Sequence, residues 1–222
     1  MTISSSAICT KYINLLCGTH RTYDVFFSGH IITTTVTHDP NTVSDWISTV
    51  KSENPHRLLS LIVGLDDNVE WHQSCNPHRK SPVVALQICI GRLCLIYQIV
   101  HTSFVPQSLI DFLDENFTYV GVDVKSDLGI LDDEYGLASN ARAEELGRLA
   151  ADAYGREELE SAGLKELASL VLGEEVEKPT SVMMSNWTDE WLTEDHVKYA
   201  CIDALMSFEI GRILLNAPCS GY

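Results

Sequence analysis

Acidic residues at three separated places in the chain have the types and spacing to hold divalent cations. The first group is Leu65-Asp66-Asp67-Asn68-Val69-Glu70-Trp71, at the end of an apolar run. The second is Asp127, shortly after Tyr119-Val120-Gly121-Val122. The third is Asp203, in the segment Tyr199-Ala200-Cys201-Ile202-Asp203. Hard cations such as Mg²⁺ and Mn²⁺ take oxygen ligands, and a carboxylate cage around two of them can clamp both the attacking and the leaving oxygen of a phosphodiester. These residues therefore point to phosphodiester hydrolysis with two Mg²⁺ or Mn²⁺ ions.

Tyr199 and Asp203 are four apart, so a helix puts them on one face. Asp203 would bind metal there, and the Tyr199 hydroxyl would orient the attacking water or help remove its proton. His196 lies near that face, and Val197, Cys201, Ala204 and Phe208 form the stripe that packs inward. The pair alone is common in helices; its weight comes from its surroundings. In Gly121-Val122-Asp123-Val124-Lys125-Ser126-Asp127 the metal ligand is Asp127, a position that the dipole of a following helix also favours. Asp123 is the competing carboxylate.

The first group is irregular. Two carboxylates two residues apart on a strand share a face, but Asn68 stands both two before Glu70 and two after Asp66. A one-residue β-bulge would let Asp67 and Glu70 act as that pair. A two-residue bulge would do the same for Asp66. Asp67 with Glu70 is the preferred reading and Asp66 the alternative. The nearby His78-Arg79-Lys80 is either a rim that guides a short strand, with Arg79 and Lys80 touching substrate, or a solvated loop.

Composition narrows the class. The 222 residues are 45% hydrophobic, enough for one domain with a sizeable core, and no stretch is long enough to span a bilayer. The segment from Met1 to His20 lacks a basic stretch leading into an apolar one, so no secretory signal is expected. Seven cysteines without CxxC spacing fit free thiols in a reducing compartment, cytoplasmic or nuclear. A net charge of −16 argues against a protein that grips nucleic acid with a broad basic face. Bound cations would offset part of that charge. The histidines lack metal-ligand spacing, no phosphate-binding glycine loop occurs, and Ser126 and Ser139 lie in no nucleophile motif. Glu144, Glu145 and the run from Glu157 to Glu160 read as solvated helix faces.

The elements that must position the carboxylates follow from periodicity. Thr22 to Thr37 alternates around Ser28-Gly29-His30, a hairpin. Asp39-Pro40 starts a helix to about Lys51. Leu58–Leu65, Val83–Ile90 and Leu93–Val100 read as a three-stranded meander, the first two separated by a polar loop from His72 to Pro82. A helix follows at 106–116, a strand over 118–124, then a helix from Asp127 to Tyr135 capped by Ser126 and ended by Gly136. The segment 143–154 is ambiguous; helices follow over 164–172 and 193–215. This is a mixed α/β sheet flanked by helices.

With these residues in that order, the chain resembles the DEDD-type 3′–5′ exonucleases of the DnaQ superfamily. It resembles most the plant Werner-syndrome-like members with a tyrosine in the third motif (DEDDy). The segments Ser81-Pro82-Val83-Val84-Ala85-Leu86-Gln87-Ile88-Cys89 and Leu192 through Ala204 carry the likeness further, over roughly Leu58 to Leu215. The resemblance implies a ribonuclease-H-like fold, with an exonuclease domain over 58–222 and residues 1–57 as a hairpin-and-helix extension packed on it. It implies release of nucleoside 5′-monophosphates from a single-stranded 3′ end, RNA more than DNA. It further implies a role in small-RNA or RISC metabolism, an Argonaute partner and a ring-shaped, hexameric homo-oligomer. A catalytically weak interaction module on the same fold is the alternative, and the irregular first motif is its main support.

Overall fold

The computed structural model describes residues 9–13, 18–55, 61–69, 83–177 and 179–216. Its strands are β1 (Cys9–Ile13), β2 (His20–Phe27), β3 (His30–Thr37), β4 (Ile62–Val69), β5 (Val83–Ile90), β6 (Leu93–Tyr97), β7 (Thr118–Gly121) and β8 (Arg142–Glu145). They form one sheet in the order β1-β2-β3-β6-β5-β4-β7-β8. β4, β5 and β6 are the expected antiparallel meander. β7 joins β4 in parallel and β8 joins β7 in parallel. β3 pairs with β6 in parallel, so the N-terminal hairpin continues the same sheet.

The helices are α1 (Pro40–Glu53), α2 (Gln107–Leu113), α3 (Val124–Tyr135), α4 (Leu146–Tyr154), α5 (Leu164–Leu167), α6 (Thr180–Met183) and α7 (Glu194–Asn216). Asp39 caps α1 by accepting from the Thr42 N–H at 2.9 Å, with Pro40 preset for the first turn. Val43, Trp46, Ile47 and Val50 then face one side of the sheet together with Leu109 and Phe112 of α2 and Leu128 and Leu131 of α3. α4, α5 and α7 cover the other side. β5 is buried at all eight positions because helices cover both of its faces. Its valine, leucine and isoleucine side chains each contribute roughly 1.5–3 kcal/mol of burial. The hairpin alternates instead, with Tyr23, Val25 and Phe27 buried and the residues between them half-buried.

Two glycines let α7 lie close on the sheet. A Cβ at Gly64 would sit 2.2 Å from the Ala204 carbonyl oxygen, and one at Gly211 would meet Val120 at 2.6 Å. Only a residue without a side chain permits such backbone approach.

The structure differs from the sequence reading in several places. β4 runs on to Val69 where the strand was expected to end at Leu65, and β6 stops at Tyr97 short of Val100, with a 3-10 turn over Ile99–His101. The strand expected over 118–124 stops at Gly121, and α3 begins at Val124 after Asp123, not at Asp127 after Ser126. The ambiguous segment divides into β8 and α4. Glu144 and Glu145 end a strand and are half-buried, so they are not a solvated helix face. The helix over 164–172 is α5 followed by a π-helical turn, Ala168–Leu172. No helix among the described residues is long and apolar enough to cross a membrane.

Candidate active site

The Asp66–Asp67 pair closes the buried part of β4. Ile62 packs with the α7 side of the core, whereas Leu61, Val63 and Leu65 pack with the α1–α2 side. Alternation thus sets Asp66 on the face of Gly64, toward α7, and Asp67 on the opposite face. A register shift does occur between Asn68 and Val69, close to where a bulge was expected. Its surplus residue lies on the neighbouring strand, however. Asn68 pairs with Ala85 and Val69 with Val83, leaving Val84 extra. Val84 and Ala85 accordingly both pack into the α7 side of the core. Up to Val69 the surplus residue is therefore on β5, and the spacing from Asp67 to Glu70 that the expected bulge would set lies outside the described residues. Glu70, His78, Arg79 and Lys80 lie outside the described residues.

Asp127 comes from the strand next door. β7 ends at Gly121, and Asp123 adopts a left-handed backbone (φ 59°) that turns the chain into α3. Aspartate tolerates that conformation better than most residues. The turn is closed by the Ser126 and Asp127 N–H groups, which donate to the Asp123 carbonyl at 2.8 and 3.2 Å. Asp127 is therefore in the first turn of α3. Beside it, Glu145 accepts from the Lys125 N–H at 3.0 Å.

Tyr199 and Asp203 come from α7, which packs along β4. Asp203 is 3% exposed and hydrogen-bonded to the half-buried Tyr199. The expected inward stripe is present: Val197, Cys201, Ala204 and Phe208 are all buried. His196, 6% exposed, has a structural role at the start of α7. Its Nδ1 accepts from the Thr193 N–H at 3.2 Å, while its own N–H donates to Thr193 Oγ1 at 3.3 Å. This reciprocal pair resembles a capping box with histidine in the place of glutamate.

The electrostatics tie these elements together. Burial pushes the Asp127 carboxyl up, and the charges of Asp67, Asp66, Asp123 and Glu145 push it further, to about 9. Burial, and then Glu134, pushes Asp67 up to about 6. One Asp67 oxygen is buried without a hydrogen-bond partner. Burial raises Tyr199 far above the ordinary phenol range, and Asp203 and Asp66 raise it further. Asp66 thus acts on both Asp127 and Tyr199, whereas Asp67 acts on Asp127 only. Such crowding of carboxylates is costly without a cation. Among the described residues, no three His, Cys, Asp or Glu side chains converge tightly enough to enclose a metal ion by themselves. Glu134, Glu145 and Trp187 escaped the sequence reading. The sequence pattern reads Glu145 as a helix face, and neither Glu134 nor Trp187 stands in a spacing that signals chemistry.

A family model described as 3′–5′ exonuclease matches residues 35–217, beginning inside β3. A 3′–5′ exonuclease of Arabidopsis thaliana is 30% identical over 162 residues, 70% of this chain and 53% of that protein. The RISC-interacting clearing 3′–5′ exoribonuclease 1 of the same plant is 31% identical over 99 residues, 45% of this chain and 48% of that protein. The chain spans about half the length of these curated relatives. Escherichia coli RNase D, an exoribonuclease involved in structured RNA processing, superposes with a TM-score of 0.65 at 16% identity, over 81% of this chain and 44% of that one. That likeness identifies the fold as ribonuclease-H-like.

Proposed function

Because the chain belongs to the 3′–5′ exonuclease family, we propose that it hydrolyses single-stranded nucleic acid from the 3′ end, RNA in preference to DNA, releasing nucleoside 5′-monophosphates. The observation that carries this reading is Asp66, whose charge acts on both the Asp127 carboxyl and the Tyr199 hydroxyl. One strand, the first turn of one helix and the middle of another thus lie near enough for the charge of one carboxylate to reach both other groups.

The donor set fits Mg²⁺ or Mn²⁺. It offers carboxylate oxygens only, in a cluster whose mutual repulsion a divalent ion would relieve. An open shell suits these ions, which keep several waters and take further oxygens from a phosphate. Asp66, Asp127 and Asp203 would hold them, with Asp67 as a neighbouring charge and Glu70 as a further candidate. Bound divalent cations would supply the positive charge that makes water nucleophilic at neutral pH and stabilises the departing 3′ oxygen.

The chain's own residues do the positioning. Tyr199, its pKa raised, stays protonated at neutral pH and acts as a hydroxyl that orients water, not as a phenolate base. The Asp203 carboxylate accepts that hydroxyl's hydrogen bond and so aims its oxygen. The net charge of −16 suits short single strands better than a duplex held by many phosphate contacts.

A role in small-RNA metabolism, with an Argonaute partner and a ring-shaped homo-oligomer, draws its support from the likeness to the RISC-interacting plant exoribonuclease. The reduced, buried thiols of Cys89, Cys94 and Cys201 support residence in the cytoplasm or nucleus. A second reading, an interaction module with little catalysis, is favoured by Asn68 and by the open metal shell. A 3′-labelled single-stranded RNA and its DNA counterpart, incubated with Mn²⁺ or with EDTA, separate the two. Metal-dependent release of mononucleotides supports the exonuclease, and an intact RNA in Mn²⁺ sinks it.

A further inference from the structure

Besides Asp203, Tyr199 has neighbours that the proposed chemistry does not use. The segment before α7 supplies one aromatic ring there, and α7 itself supplies a second, His196. Trp187, 4% exposed, lies edge-to-face with Tyr199 at 5.9 Å between ring centroids and against His196 at 4.6 Å. The Trp187 indole N–H donates to the Met183 carbonyl at 3.3 Å. Because His196 Nδ1 accepts from Thr193, its proton sits on Nε2, which donates to Ser185 Oγ at 2.6 Å; that hydroxyl donates in turn to the Val182 carbonyl at 2.5 Å. The segment is also tied to the sheet. Gln98 Nε2 donates to the Asp189 carbonyl at 2.8 Å, and the Arg21 guanidinium lies 4.3 Å over the Trp191 ring.

We propose that Trp187 and His196 are positioning residues, a brace that holds the Tyr199 ring at the angle its hydrogen bond to Asp203 requires. A phenol has two side-chain torsions, and one hydrogen bond to a carboxylate does not set both. The Trp187 ring edge closes the remaining freedom, and His196 fixes Trp187 by packing against it. A helix cap alone would need the Thr193–His196 pair but not a tryptophan against the tyrosine. The proposal rests on the exonuclease reading, since that reading makes the Tyr199 hydroxyl worth aiming.

The test uses the full chain with Mn²⁺ and a 3′-labelled single-stranded RNA, after thermal unfolding shows each variant folded. Trp187→Leu is expected to lower kcat ~10-fold to ~100-fold with KM little changed, the scale set by misplacement of about an ångström. In a Tyr199→Phe background the same change is expected to cost almost nothing more, because the hydroxyl it aims is gone. His196→Ala follows Trp187→Leu, whereas His196→Gln, which keeps an acceptor for Thr193 and a donor for Ser185, restores most of the rate. Trp187→Phe, a milder variant that keeps a ring edge, loses less.

An independent reading comes from 3-fluorotyrosine incorporation, with the Tyr199 ¹⁹F resonance assigned by its loss in Tyr199→Phe. Trp187→Leu is expected to shift and broaden it. An unchanged resonance, or an equal loss of kcat in both backgrounds, overturns the brace. A fully active Tyr199→Phe with a Trp187-sensitive resonance would leave the brace standing and remove the assigned role of Tyr199.

Discussion

The two walls of the site are built on different terms. The α7 wall is assembled before any ligand arrives: Asp203 is almost wholly buried, bonded to Tyr199, and carried by a helix that Gly64 and Gly211 let down onto the sheet. The α3 wall is in place but electrostatically strained. Asp127 is pushed up to about 9 by burial and by four neighbouring carboxylates. Packing supports one wall, while the other waits for positive charge. The contrast shows that packing can hold one carboxylate in place while crowding leaves another with a repulsion that positive charge would relieve.

The largest expected effect comes from removing one charge from each wall. Asp203→Asn and Asp127→Asn should each lower single-turnover hydrolysis by ~10³-fold or more, since several kcal/mol of charge stabilisation is lost and about 1.4 kcal/mol is tenfold. Their metal-free stabilities should part company. At pH 8 Asp127→Asn should raise the Tm, because an amide removes the cost of holding a proton that the unfolded chain would release, while Asp203→Asn should not. Equal Tm changes would erase the distinction between the walls.

Next come the two aspartates of β4. Asp66 acts on both walls, and Asp67 acts on Asp127 alone. Asp66→Asn should therefore cost ~10²-fold to ~10³-fold in turnover and weaken Mn²⁺ binding in a titration, with Asp67→Asn costing about tenfold. The reverse order would restore the preference for Asp67 drawn from the sequence.

Tyr199→Phe should lower kcat by about 10²-fold, the lower end of what a well-placed proton-handling group contributes. It should leave Mn²⁺ affinity unchanged, because the hydroxyl is assigned to water and not to metal. A tenfold loss of Mn²⁺ affinity would show that the phenol holds the metal wall together.

The smallest effect is on stability. Asp127 has a folded pKa above its unfolded value of 3.8. Between those values the folded chain holds the extra proton, so the Asp127 contribution to stability is greatest below about pH 4 and declines as pH rises toward about 9. Differential scanning calorimetry without metal should show a Tm lower at pH 8.5 than at pH 5.5, by at most ~10 °C, since three pH units of one extra proton are worth up to ~4 kcal/mol. Mg²⁺ should recover more of the Tm at the higher pH. A metal-free Tm that rises between those two values would mean that Asp127 is not strained as described.

Much of this was legible in the residues. The Tyr199–Asp203 spacing announced a helix face, and β5 read as a strand because eight consecutive buried positions leave no other economical pattern. The hairpin, α1 and the meander followed from alternation and from Asp39-Pro40. What was not legible depended on partners distant in sequence. The register shift beside Asn68 has its surplus residue at Val84 of β5, which no spacing within β4 encodes, because which of two paired strands carries a surplus residue depends on how both pack. Glu145 looked like a helix-face glutamate until β8 aligned beside β7 and set it against Lys125.

Taken alone, the chain determined its elements, the membership of its carboxylates in three groups and the chemistry that oxygen-rich clusters perform, because residue type, periodicity and charge are local properties. Which carboxylates face which wall, how far Asp127 is driven from its ordinary ionisation, and what surrounds the Tyr199 ring were decided only by the tertiary structure. Burial and Coulomb energy depend on distances between segments that adjacency in sequence does not encode.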